Sequence, residues 1–409
     1  MLSGCYVNHR PVLTVAFLDY NQNVNSQSSS TPSDSGLSHE RWHVAILQHL
    51  SRVLVILLSL GAGLVNATAE CHINAYVTNV GTVSVIDTTN NSVVATIPVG
   101  IFPSGVTVTP DGTRVYVTNI FNSISVIDAA TNTVVETIPS GQFPTGIAIT
   151  PDGTRAYVVN QLVTNQGTNT VSVVDIMTNS IVATISVGLG PSQIAITPDG
   201  TRAYVPNQQD FIISVIDTAT NTVVTTIPLS GGAGIAITPG GAQAYVTSPG
   251  GGTVSVIDTA TNTVAATISL GTNQNPLGVA ITSDGTRAYV TISLPNNRVS
   301  VIDTATNTVV AHIPVGVAPN GIAITPDGTR AYVTNDGSNT VSVIDTATNT
   351  VVATIPVGQG PVAVAITPVP RTPTDKEQCK HRGYLKFGPP AGPFKNQGQC
   401  VSYVEHHKM

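Results

Sequence analysis

A Tyr-Val pair set in a short alternating stretch recurs seven times in this chain, at Tyr76, Tyr116, Tyr157, Tyr204, Tyr245, Tyr289 and Tyr332, with spacings of 40 to 47 residues. A fixed period in this range marks a repeat architecture, in which each unit buries its apolar faces only against its neighbours. It also limits what recurrence can mean. A residue present in every unit is there because every unit needs it, so repetition within the chain does not mark a site.

Each unit carries four strand patterns. The first is Gly-Ile-Ala-Ile-Thr-Pro, as at Gly146 to Pro151, followed by a Pro-Asp-Gly-Thr-Arg turn in which Pro presets φ and Gly accepts the positive φ. Ala-Tyr-Val-Thr-Asn follows, as at Ala331 to Asn335. A variable loop then leads to Val-Ser-Val-Ile-Asp, a Thr-Ala-Thr-Asn-Thr turn and Val-Val-Ala-Thr-Ile-Pro. Alternation and β-branched residues dominate, and no segment has helical periodicity. Four short antiparallel strands per unit describe a propeller blade. The first unit begins at its Tyr-Val strand and lacks the strand before it. The last unit ends with an extra one, Ala363-Val-Ala-Ile-Thr-Pro368. Pairing that last strand with the first blade removes an orphan edge and its unpaired backbone groups. The fold expected for residues 70–369 is therefore an all-β, seven-bladed β-propeller of four-stranded blades, closed by a C-terminal strand that completes the N-terminal blade.

The Tyr-Val-Thr-Asn tetrads at Tyr76–Asn79, Tyr116–Asn119 and Tyr332–Asn335, with Pro-Asp-Gly-Thr-Arg and Val-Ile-Asp-Thr, resemble the YVTN-family β-propeller repeat. The resemblance covers residues 75–368 and implies a secreted or surface-layer-like protein. It assigns no activity, because related propellers host unrelated ones. Val159, Pro206, Ser248 and Ile292 break the tetrad, and Pro239-Gly-Gly-Ala-Gln243 replaces the usual turn. The tail, Cys379-Lys-His-Arg-Gly-Tyr384 through Phe394-Lys-Asn-Gln-Gly-Gln-Cys-Val-Ser-Tyr403, is similar to a short cysteine-bracketed motif at the C-termini of some secreted bacterial proteins.

Composition narrows the function. Residues 75–368 contain no Lys, and six Arg face fifteen Asp and Glu. Nucleic-acid binding requires a basic surface, so it is not expected. Before the repeat, Arg52 precedes a short apolar stretch, Val53 to Val65, and then Ala67-Thr68-Ala69. This reads as a secretory signal peptide over 44–69, cut before Glu70; the alternative is an uncleaved anchor. Residues 1–43 form a polar extension or a mis-assigned start. After cleavage no integral membrane segment is expected, and the location is secreted or cell surface. Export places the remaining cysteines in an oxidising setting, so Cys379 and Cys400 are expected to pair within the basic tail, 370–409, leaving Cys71.

The seven Asp at 87, 128, 175, 217, 258, 303 and 345 end strands before a turn, where a carboxylate accepts backbone N–H groups and an Arg from the neighbouring strand lies near. They are read as structural. His312 alone among histidines lies inside the propeller and is read as a packing or edge residue. No catalytic residue, metal site or cofactor is assigned.

Strand direction sorts the loops into two faces. The Pro-Asp-Gly-Thr and Asp-Thr-Ala-Thr-Asn turns form a uniform face, from which both ends of the repeat leave. The other loops vary, and variable loops on a rigid frame are where binding usually sits. The candidate binding residues there are Phe102, Phe121, Asn122, Phe143, Gln208, Asp210, Phe211, Asn275, Asn297 and Arg298. The expected function is an exported non-catalytic binding module for a glycan, a peptide or an envelope polymer. Two alternatives stand beside it: a lactonase-like or quinoprotein-like enzyme using the axial channel, and a structural surface-layer component. Oligomeric state is left open.

Overall fold

The computed structural model describes residues 73–161 and 168–368. The signal segment, the cysteines, the tail and part of the loop between Gln161 and Asn169 lie outside the described residues. Among those described, no helix is long and apolar enough to cross a membrane.

Seven four-stranded antiparallel sheets form the ring. In the second blade the strands run outward from the axis as Pro103–Val108, Arg114–Asn119, Ser123–Asp128 and Thr133–Pro139. The first blade takes its innermost strand from the far end of the chain. Val364–Ile366 pairs with Asn74–Asn79 in the register Ala75↔Ile366, Tyr76↔Ala365 and Val77↔Val364. Thr78 donates its N–H to the Ala363 carbonyl at 3.0 Å and accepts from the Val362 N–H at 3.0 Å, which extends the join. The closure expected from the missing strand is thus present.

The two middle strands of each blade are buried on both faces, which is why they read as near-continuous apolar runs. One face meets the preceding blade and the other the following blade, giving seven interblade cores. In six of them the Tyr of one blade lies against an Ala of the next, as Tyr157 with Ala203 and, across the closure, Tyr332 with Ala75. The small residue leaves room for the ring.

The tyrosine hydroxyl then crosses the interface. It donates to the side-chain oxygen of the turn Asn in the next blade: Tyr116 to Asn179 (2.7 Å), Tyr157 to Asn221 (2.7 Å), Tyr204 to Asn262 (2.8 Å), Tyr245 to Asn307 (2.8 Å), Tyr289 to Asn349 (2.8 Å) and Tyr332 to Asn91 (2.6 Å). All of these Asn have positive φ, a conformation that Asn tolerates better than most residues. Tyr76 is the exception. It faces Val115 where the other interfaces have Ala, and its hydroxyl does not bond to Asn132.

A second bridge runs closer to the axis. The Thr118 hydroxyl accepts from the Gly105 N–H (2.7 Å) and donates to the Thr145 carbonyl of the next blade (2.6 Å). A Cβ on Gly105 would sit 2.3 Å from that same carbonyl, so only Gly permits the approach. Thr247, Thr291 and Thr334 repeat the bridge. Val159 and Pro206 have no such hydroxyl. There Thr145 donates to the Ser192 carbonyl (3.0 Å) and Ser192 to the Ala233 carbonyl (2.9 Å), so the inner strand supplies the missing link.

These bridges are separable by mutation. Tyr332→Phe removes a satisfied buried bond at the closure and is expected to lower unfolding free energy by on the order of 1 kcal/mol. Tyr76→Phe should lower it much less. Equal losses in urea titrations of the two variants would contradict the interblade role of the hydroxyl.

Candidate ligand-binding face

The two faces of the ring differ in charge. The uniform face carries twelve Asp, at the ends of the third strands and in the Pro-Asp-Gly-Thr turns, with five Arg. The Asp are occupied locally. Asp258 accepts from the Thr261 N–H (2.8 Å) and hydroxyl (3.0 Å), and these bonds hold its carboxyl below the usual range. Arg202 pairs with Asp217 at 2.5 Å, and Arg114–Asp128 and Arg287–Asp303 pair likewise. The expected Asp–Arg contact is therefore present in three blades, and the repeated Asp serve the turns. The variable face carries only Asp210, Asp336 and Arg298 among its described ionisable groups.

The innermost strands surround the axis and carry no ionisable side chain, being sequences such as PTGIAI, PLGVAI and PNGIAI. Among the described residues no three His, Cys, Asp or Glu gather as metal ligands would. Proton-transfer or metal chemistry at the channel would have to draw on groups outside these strands.

The variable face is built from two loop families with one shared requirement. The residue just before the third strand has positive φ in six blades: Gly81, Asn122, Phe211, Gly252, Asn297 and Asn339. In the loops that join blades, the residue before the recurring Pro of the inner strand also has positive φ, at Phe102, Phe143, Gly190, Ala318 and Gly360. That conformation aims a carbonyl at the next loop. Ile120 N–H bonds to the Phe102 carbonyl (3.1 Å), Gln161 to Phe143 (3.1 Å) and Gln208 to Gly190 (2.9 Å).

Gly or Asn suits these positions. A bulky L-residue there is strained by about 1–2 kcal/mol. Three of them are nevertheless Phe. Phe102 and Phe211 are 48% and 58% exposed, so burial does not offset the strain. Phe121, 56% exposed, lies beside Phe102 with ring centroids 6.1 Å apart and planes tilted by 46°. Phe143 is half-buried.

The amides are divided between bracing and exposure. Asn122 accepts from the Phe143 N–H (3.4 Å), Asn297 from Ala318 (2.9 Å) and Asn339 from Gly360 (2.9 Å), each bracing the loop ahead of it. Asp210 braces Leu189 (2.6 Å). The candidates Asn122, Asn297 and Asp210 thus hold the frame, and Phe211 stands where a bracing Asn would fit. Gln208 is exposed and Asn275 half-buried. Arg298 lies in the sixth blade, beside Gln274 and Asn296 of the same variable loops. Gln274 is only 9% exposed and accepts from Asn296 at 2.8 Å.

His312 has a structural task. In five blades the buried Ser of the third strand bonds to the tetrad Asn, as Asn119 to Ser125 (3.0 Å). In the sixth blade Ile292 replaces that Asn, and Ser300 instead lies 3.1 Å from His312 Nδ1. Burial, and then the charge of Arg298, push the His312 pKa below its ordinary value.

Residues 64–231, less than half of the chain, match a family model described as the Choice-of-anchor I domain. No curated protein sequence matches. Among solved structures, the chain is similar to hydrazine synthase from Kuenenia stuttgartiensis, at 27% identity over 65% of this chain and 90% of that one, with a TM-score of 0.59. It is also similar to a functionally unknown protein from Desulfotomaculum acetoxidans (19% identity, 72% and 99% covered, TM-score 0.64). A third is the periplasmic gluconolactonase of Pseudomonas aeruginosa (18%, 73% and 99%, TM-score 0.62). The last two likenesses reflect the shared propeller fold.

Two measurements follow. Phe211→Asn relieves backbone strain at an exposed position and is expected to raise unfolding free energy by up to about 1 kcal/mol; a clear loss would mean that the ring stabilises the fold. Because folded His312 holds its proton less tightly than the unfolded chain does, stability should fall as pH drops below about 6.5 toward the folded pKa. His312→Gln should weaken that fall between pH 7.5 and 5.5, and an unchanged pH profile of the urea midpoint would exclude His312 as a source.

Proposed function

We propose that the chain is an exported repeat propeller of the YVTN type that acts as a non-catalytic binding module, with a glycan of an envelope or extracellular polymer docking on the variable face. The observation that carries this reading is the placement of Phe102 and Phe211 in left-handed positions that other blades fill with Gly, Ala, Asn or, once, the half-buried Phe143, with about half of each side chain left exposed. Backbone strain retained without a packing gain points to selection for something other than the fold. Exposed aromatic faces offer apolar area with little conformational freedom to lose, and the near-neutral amide surroundings suit sugar hydroxyls better than a charged peptide. The signal-like segment before Glu70, the anchor-domain match and the periplasmic origin named for one structural neighbour support export.

Likeness to a gluconolactonase keeps sugar-lactone hydrolysis as the enzymatic alternative. A glycan and peptide array probed with the full chain separates the readings. Binding to a glycan class, weakened at least ten-fold by Phe121→Ala with Phe211→Ala, is the expected result. Lactone turnover by the same preparation, or array binding unchanged in the double variant, would overturn it.

A further inference from the structure

One position on the variable face departs from the repeat in charge as well as size. The first residue of the third strand is Thr82, Ser123, Thr170, Ile212, Thr253 and Thr340 in six blades and Arg298 in the sixth. The fold has no need of a cation there. Arg298 is also the sole described Lys or Arg away from the uniform face.

Its guanidinium is poorly satisfied. Nη2 makes two long contacts, 3.4 Å to the Leu270 carbonyl and 3.4 Å to Gln274 Oε1. The Gln274 oxygen is already engaged by Asn296 at 2.8 Å. Nε is buried and donates to nothing. No carboxylate of the described residues pairs with Arg298. A buried N–H of a charged group without an acceptor is a standing penalty, more than that of a neutral donor. Gln274 cannot move to relieve it, because its amide is tied to the Thr272 carbonyl (3.1 Å) and to Asn296.

We propose that Arg298 is the carboxylate-binding subsite of this face, and that it takes the acid group of a uronate residue in the glycan. A carboxylate at this rim supplies the counter-charge that no described residue gives Arg298. Its oxygens accept from the Nη groups at the open edge of the guanidinium, since Nε is closed to solvent, in the paired geometry that suits the fork. Exposed Asn296, whose amide also holds Gln274, lies at the same rim and is available to ring hydroxyls. The inference rests on the glycan reading above and extends it from neutral to acidic sugars.

The test uses the full chain with three probes: D-glucuronate, its methyl ester and N-acetylglycine. In the ¹H–¹⁵N spectrum the Arg298 Nε–H resonance is expected to move saturably with glucuronate and to stay put with the ester. By calorimetry the acid should bind at least roughly ten-fold more tightly than the ester, the scale of a charge-assisted bond. Arg298→Gln should bind both forms alike, and Arg298→Lys, with charge but no fork, should fall between. An unmoved resonance, or equal binding of acid and ester by the unaltered chain, overturns the proposal. A response to N-acetylglycine without one to glucuronate overturns the sugar assignment. The two readings fail differently: a blank glycan array with the Arg298 response intact removes the face as a glycan platform, whereas array binding that Arg298→Gln leaves unchanged for acidic and neutral glycans alike removes the subsite.

Discussion

The contact on which the rest of the molecule depends is the packing of one blade's tyrosine against the small residue of the next. Each blade is a twisted four-stranded sheet with two apolar faces, and neither can be buried within the blade itself. Seven interfaces bury all of them only if the last blade meets the first. The closing interface carries the same set as the others: Tyr332, Val341 and Val343 from one side, Ala75, Val77 and Ile86 from the other. The strand Val364–Ile366 then supplies backbone partners for Asn74–Asn79, which leaves no inner edge open. Polar bridges sit on this apolar frame and set its register, with the Tyr–Asn bond toward the uniform face and the Thr hydroxyl toward the axis.

The division of labour between faces follows from that frame. Turns on the uniform face must supply an Asn to the neighbouring tyrosine and an Asp to their own backbone, so their sequence is constrained in every blade. Loops on the opposite face must supply only a residue of positive φ and a bracing acceptor. That weaker requirement is met by Gly, Asn, Ala or Phe, and Phe211, unlike Asn122, Asn297 and Asn339 in the same slot, supplies no side-chain acceptor to the loop ahead. The freedom is where the aromatic rings and Arg298 enter. Binding chemistry is thus confined to positions at which the ring tolerates change.

Much of the fold was legible in the residues because its causes are local or periodic. The Tyr-Val period, the turn chemistry and the extra strand after Gly360 led to seven blades, their closure and the two faces. The site was less legible. Asn122, Asn297 and Asp210 look like ligand-facing groups in a loop sequence, and only the backbone path shows that each braces a loop 21 residues away, ahead of Asn122 and Asn297 and behind Asp210. Gln274 sits in a loop whose variability is visible in the sequence, but its contacts with Asn296 and Arg298 depend on burial between two loops. The replacement of the missing Val159 and Pro206 hydroxyls by Thr145 and Ser192 joins residues far apart in sequence. Comparing the same slot across blades recovers part of this: Phe211 among Gly and Asn, and Arg298 among Thr and Ser, stand out once the slots are aligned by structure.

The loop faces exist as described only if the ring is closed by the chain's last β-segment. Hydrogen–deuterium exchange on the full chain tests this most directly. Closure requires the amides of residues 362–366 to be protected together with those of the innermost strand Pro319–Ile324, which lies in an uninterrupted blade. Exchange of 362–366 at the rate of a free chain, while Pro319–Ile324 remains protected, would contradict it.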